Sequence, residues 1–280
     1  MTLGFYPGCS LKGSSREYAE SVIALTKAFD ISLQEIEDWN CCGATAAHNL
    51  DKDLSFALPA RILTLAEKQG LTEIVVPCAA CYSRLTVTHY ELSEDPVLKA
   101  RISEANGMEY KESLTILNII QMIDKYITPN LEGRVAKPFD HKVACYYGCL
   151  LVRPHEILKF DREEDPQTMD NLMLKIGATP IDWAYKAECC GAGLSVSRTS
   201  SVGRLSGLIV GDAKDRGAEA IIVACPMCHS NLDMRRDAIN TFLNEKIDIP
   251  VLYITQAIGL AVGVDRKELA LQRHFVKVTI

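Results

Sequence analysis

The cysteines of this chain form a repeat. Cys9, the pair Cys41-Cys42 ahead of Gly43, and Cys78 with Cys81 recur as Cys149, Cys189-Cys190 ahead of Gly191, and Cys225 with Cys228. Equivalent positions differ by 140 residues for the first cysteine, 148 for the pair and 147 for the last two. A nearly constant offset in unchanged order means that a whole folding unit is duplicated. Flanking residues repeat as well: Tyr6-Pro7-Gly8-Cys9 resembles Tyr147-Gly148-Cys149, and Ile74-Val75-Val76-Pro77-Cys78 resembles Ile221-Ile222-Val223-Ala224-Cys225. The stretch Ile249 to Ile258 reads as the counterpart of Leu114 to Ile123. A chain of 280 residues has room for two such units. The boundary is expected between Glu132 and Asp140, giving a first repeat over 1–135 and a second over 136–280.

Short β-branched or aromatic runs precede each outer cysteine site: Leu3 to Tyr6, Ile74 to Val76, Val143 to Tyr147 and Ile221 to Ala224. Helix-period segments follow, such as Arg16 to Phe29 and Val202 to Arg216. Strands alternating with helices predict an α/β fold of two pseudo-twofold-related repeats, each a parallel sheet flanked by helices. Cys9, Cys78, Cys149 and Cys225 then fall at strand-to-helix turns, the edge where open α/β sheets gather ligands.

Eleven cysteines cannot all pair. No basic-then-apolar leader opens the chain, and no apolar run approaches the roughly 20 residues that span a bilayer. A cytoplasmic protein with reduced thiols is the expectation, so metal ligation or redox chemistry accounts for the cysteines better than disulfides do. A formal charge of −6 argues against nucleic acid as a partner. Cys-x-x-Cys alone fits a dithiol, half a zinc site or half a cluster site. The vicinal pair discriminates, because adjacent side chains in extended backbone point apart and chelate one small ion poorly. At a turn permitted by Gly43 or Gly191 they can reach two metal atoms. Structural zinc takes four ligands and each half offers five thiols, which points to an iron–sulfur cluster less regular than a cubane. Paired zinc sites are the remaining alternative. Cys145, outside the frames and in an expected strand, reads as a buried core thiol.

The spacing Cys, Cys-Cys-Gly, Cys-x-x-Cys is the CCG motif. Two copies, with Tyr147-Gly148-Cys149-Leu150-Leu151-Val152-Arg153-Pro154, resemble the family of heterodisulfide reductase B-type subunits over essentially the whole chain. The resemblance implies that each half binds a noncubane 4Fe–4S cluster. The ligands would be Cys9, Cys41, Cys42, Cys78 and Cys81 in one half and Cys149, Cys189, Cys190, Cys225 and Cys228 in the other. It further implies an enzyme that reduces the coenzyme M–coenzyme B disulfide. Its electrons would come from the reductase's C-type subunit, which carries cubane 4Fe–4S clusters. That partner would be fed by the flavin-containing A-type subunit and, upstream, by a hydrogenase or formate dehydrogenase module. Arg84 and Arg153, three and four residues after cysteines, are candidates to hold a sulfonate or phosphate, against the plainer reading of solvated helix cations. His229 and Tyr82 are candidates to donate hydrogen bonds to sulfur. The rival reading is an electron-transfer or catalytic component of a heterodisulfide-reductase-like complex acting on another substrate. The absence of a fused ferredoxin-type cysteine run favours a stand-alone subunit with a cluster-bearing partner.

Overall fold

The structure is a computed structural model that describes residues 1–44 and 46–280. Two four-stranded parallel sheets have the same topology. The first orders β1 (Thr2–Phe5), β2 (Ser32–Glu35), β3 (Glu73–Val76) and β4 (Thr115–Asn118) as β2-β1-β3-β4. The second orders β5 (Lys142–Tyr146), β6 (Thr179–Pro180), β7 (Ala220–Val223) and β8 (Val251–Tyr253) as β6-β5-β7-β8. Beyond their first residues the central strands are buried runs, as sheets covered on both faces require: every residue of β7 is buried, and so are Ile74, Val75 and Val76 of β3. The edge strand β2 alternates exposed and half-buried residues.

The crossovers are helical. The helices that matter below are α1 (Arg16–Ala28), α2 (Lys52–Lys68), α3 (Ala79–Glu94), α4 (Thr168–Lys175), α5 (Thr199–Asp215), α6 (Pro226–Asp233) and α7 (Ile254–Ala261). The stretch Leu114 to Tyr126 changes character along its length. It is β4 followed by a helical turn that starts at a capping box, in which Asn118 and Gln121 satisfy each other's backbone N–H groups. Its counterpart is β8 followed by α7, as the repeat implies.

In both sheets the chain leaves the first strand in one direction for the second and in the other for the third. The switch points therefore lie between β1 and β3, and between β5 and β7. Helices α1 and α7 join the halves. Ser21 and Thr255 hydroxyls hydrogen-bond at 2.7 Å, and the rings of Tyr18 and Tyr253 stack 3.9 Å apart at 5°. Among the described residues no helix is long and apolar enough to cross a membrane.

Candidate metal centre

Each switch point delivers three of the five thiols. Cys9 lies in the turn after β1 and Cys149 opens the turn after β5. Cys78 and Cys225 are the N-cap residues of α3 and α6, which sets Cys81 and Cys228 in the first turn of those helices. The vicinal pairs arrive on the loops that follow β2 and β6. Each loop is anchored at the residue before the pair: Tyr6 Oη donates to the Asn40 carbonyl at 2.9 Å, and Tyr146 Oη donates to the Glu188 carbonyl at 2.6 Å. Tyr146, and not Tyr147, is thus the counterpart of Tyr6. Tyr147 serves elsewhere. Its hydroxyl accepts from the N–H groups of Met169 and Asp170 at the start of α4 and donates to the Asp170 carboxylate.

The vicinal pairs splay. Cys41 Sγ lies 4.0 Å from Cys9 Sγ, while Cys42 Sγ lies 3.2 Å from Cys81 Sγ. In the second half Cys190 Sγ is 3.5 Å from Cys228 Sγ, and the Cys189 thiol is turned toward that of Cys149. Gly43 and Gly191, with φ of +73° and +80°, turn the backbone so that their N–H groups face Cys41 Sγ at 3.5 Å and Cys189 Sγ at 3.3 Å. Gly8 and Gly148 line the cradle from the other side. A Cβ there would stand 3.2 Å from Cys81 Sγ and 3.0 Å from Cys228 Sγ.

The two arrays touch. Cys78 and Cys225 lie close enough to perturb each other's thiols, and Tyr18 Oη bridges the carbonyls just before them, Pro77 at 3.4 Å and Ala224 at 3.3 Å. Ten sulfurs form one continuous path, buried in the middle at Cys78, Cys81, Cys225 and Cys228 and exposed toward its ends at Cys9, Cys41 and Cys189. Protons are shared along it. The thiol of Cys42 is pulled down to about 4 by hydrogen bonds with Cys41 and Cys81, and that of Cys189 to about 6 by its bond with Cys149. Burial and the neighbouring anions push Tyr6 and Tyr146 far up, so both stay hydroxyl donors. Beside the second array is a cavity of about 160 Å³, walled by five cysteines and by small residues including Ala79, Ala80, Gly148 and Gly193, with no carboxylate or imidazole in its lining. A soft, all-sulfur donor set with close glycine walls fits an iron–sulfur group. Cys145 is fully buried in β5, and burial raises its thiol, as for an inert core residue.

The other candidates fall as follows. Arg84 is half-buried on α3, forms no ion pair among the described residues, and its field reaches Cys42. Arg153 donates to the Ala187 carbonyl at 3.0 Å and pairs with Glu163 and Glu164, tying the Cys149 turn to the Cys189 loop. His229 and Tyr82 do not serve the sulfurs: His229 Nε2 faces the Val251 carbonyl and His274, and Tyr82 is buried in the core beside Asn118 and Gln121. Both directions were hidden because one helix position says nothing of the partner strand. Sequence reasoning also missed the hydroxyl anchors of Tyr6, Tyr146 and Tyr18 and the amide of Asn231, which donates to the Cys190 carbonyl at 3.0 Å. The offset of 140 alone would have paired Tyr6 with Tyr146.

The chain has a second group of ligand-type atoms, in His229, Asp233 and His274, all within 4.8 Å of one another. With the thiol arrays it gives the chain metal-binding capacity of two chemical kinds. Here, however, hydrogen bonds already use the atoms. Gln256 Oε1 accepts from the Tyr253 N–H, so its Nε2 donates to His274 Nε2 and leaves the His274 proton on Nδ1. The Asp233 oxygens accept from the N–H groups of Phe275 and Val276. A metal would have to displace that network.

Comparison with known proteins agrees with the two arrays. Residues 3–86 and 143–233 each match the CCG family, described as a cysteine-rich domain. A Wolinella succinogenes protein named 8-methylmenaquinol:fumarate reductase membrane anchor subunit is 29% identical over 98% of this chain and 97% of its own length. The B-type subunit of a ferredoxin/F420H2-dependent CoB-CoM heterodisulfide reductase from Methanosarcina acetivorans is 29% identical over 98% of this chain and 94% of its own. The crystal structure of a hypothetical protein from Helicobacter pylori shares the fold, with a TM-score of 0.83 at 14% identity; it aligns with 99% of this chain, which spans 52% of that one. With both repeats matched and both five-cysteine frames intact, the chain belongs to the CCG family of cysteine-rich proteins.

Proposed function

We propose that this chain is the iron–sulfur redox component of a heterodisulfide-reductase-like complex, carrying electrons between a partner protein and a two-electron substrate through two 4Fe–4S clusters of the noncubane kind. The observation that carries this reading is the continuous ten-sulfur array, buried at the Cys78–Cys225 junction and exposed toward both ends. Such a group, when bound, stores and passes single electrons. The residues do the rest. Glycine walls and the Tyr6 and Tyr146 anchors hold the ligand loops, Tyr18 locks the junction, and α1 against α7 fixes the halves. A groove of about 470 Å³ crosses from Ser10 and Ser14 of the first half to Met227, Asn231 and Arg235 of the second, and gives a substrate access beside the array.

The relatives' names favour breadth over one substrate, because chains of equal similarity are named for quinol:fumarate and for disulfide chemistry. The narrower reading is reduction of the coenzyme M–coenzyme B disulfide, with Arg84 and Arg153 holding its sulfonate and phosphate and with the C-type and A-type subunits upstream. Its support is the unpaired charge of Arg84 near Cys42. Anaerobic purification, iron and sulfide analysis, and oxidation of a reduced viologen by the coenzyme M–coenzyme B disulfide, by other disulfides and by quinones test both. Clusters with turnover of that disulfide support the narrow reading. Clusters with turnover of another acceptor, or only with a partner present, support the broader one. A chain without iron overturns both.

A further inference from the structure

The repeats are alike in cysteines and unlike in the charges beside them. The residue three positions after the last cysteine of each Cys-x-x-Cys is Arg84 in the first repeat and Asn231 in the second. Asn231 is 1% exposed, and its amide donates to the Cys190 carbonyl at 3.0 Å and lies 3.7 Å from Cys190 Sγ. The residue before each vicinal pair is Asn40 in the first repeat and Glu188 in the second, and both occupy the same place, each accepting from its tyrosine anchor. At two equivalent positions, then, a cation replaces a neutral group or a neutral group replaces an anion, and both changes make the first site the more positive. Two nearby cations of the second half are neutralised by carboxylates, Arg153 by Glu163 and Glu164 and Lys186 by Asp165 and Asp170, while the Arg235 guanidinium is turned to the Ser195 carbonyl.

We infer that Arg84 sets an order between the two halves, making the cluster of the first repeat the more easily reduced and hence the one on which the first electron rests. This deepens the proposed function and rests on it. Reduction adds negative charge, and a fixed positive charge close by stabilises the reduced state more than a neutral amide does. Guanidinium keeps its charge at every working pH. Glu188 acts in the same direction and more weakly, because it is exposed and screened. Arg84 is a positioning and tuning residue here, acting through the thiolates.

The test is a potentiometric titration of the cluster-loaded full chain, followed by electron paramagnetic resonance, with wild type, Arg84→Gln, Arg84→Lys and Glu188→Gln. Two resolved steps are expected. Arg84→Gln should lower the upper step and leave the lower one, Arg84→Lys should hold both near wild type, and Glu188→Gln should raise the lower step alone. If Arg84→Gln fails to load its cluster, the Lys and Glu188 variants still decide the matter. Clusters present with the upper step unmoved by Arg84→Gln, or moved by Glu188→Gln instead, overturn the inference while leaving the proposed function standing. A wild-type chain that holds no iron overturns both.

Discussion

Gly148 is where backbone and ligand geometry meet most tightly, and its replacement by alanine should separate the two arrays. Its φ of 70° and ψ of 175° lie in a region open essentially to glycine alone. An alanine held there costs about 1–3 kcal/mol. The new Cβ would also stand 3.0 Å from Cys228 Sγ and 3.6 Å from Tyr146 Cε1, so the sulfur has to move by a few tenths of an ångström. Together these amount to about 2–3 kcal/mol, or about 5–10 °C in Tm for a chain of this size. Because the displaced ligand belongs only to the second array, bound iron should fall by about half. Gly217→Ala is the matched control: φ is also positive, at +77°, but a Cβ there meets nothing within 4 Å. It should lower Tm by a few degrees and keep full iron. The assay is colorimetric iron per chain together with anaerobic thermal unfolding by circular dichroism. Gly148→Ala with full iron and a Tm equal to the Gly217→Ala control would refute the close-approach argument.

Other outcomes follow from the same structure. Cys41→Ala and Cys189→Ala should each lose about half of the iron, whereas Cys145→Ala should keep all of it; equal loss in all three would place Cys145 among the ligands. Asp170→Asn leaves Lys186, 3% exposed, with only the more exposed Asp165 as an anionic partner, and should cost about 3 kcal/mol, read as a lowered Tm without change in iron content. His89, bonded to Tyr110 Oη at 2.6 Å, is held below the usual histidine range by burial, so the unfolded chain takes up its proton first as pH falls. Tm should therefore drop as pH falls through about 6.5, and His89→Gln should make that drop smaller; an unchanged pH profile would remove His89 from the explanation.

How far the sequence could be read depended on whether a feature repeats. The strand before each outer cysteine, the turn glycines and the α/β class were all legible, because duplication shows the same pattern twice and β-branched runs ahead of a helix period have few alternatives. Cys145 was legible for the converse reason: it has no partner in the other half. What could not be read is what depends on which neighbour a side chain meets. Tyr82 and His229 follow their cysteines by one residue each, yet Tyr82 is buried beside Asn118 and the His229 ring nitrogen faces the Val251 carbonyl, set by how α3 and α6 rest on β4 and β8. That the two sites face one another across the pseudo-twofold could be expected from the duplication, but that Cys78 and Cys225 are the cysteines that approach could not, because it depends on α1 packing against α7 through the Ser21 and Thr255 hydroxyls and the stacked rings of Tyr18 and Tyr253.

The central claim is that the two five-thiol arrays each hold a four-iron cluster, and the most direct measurement is metal and acid-labile sulfide per chain after anaerobic purification. The account predicts about eight irons and about eight sulfides, with zinc at trace level. Zinc near one or two per chain with iron and sulfide absent would contradict it.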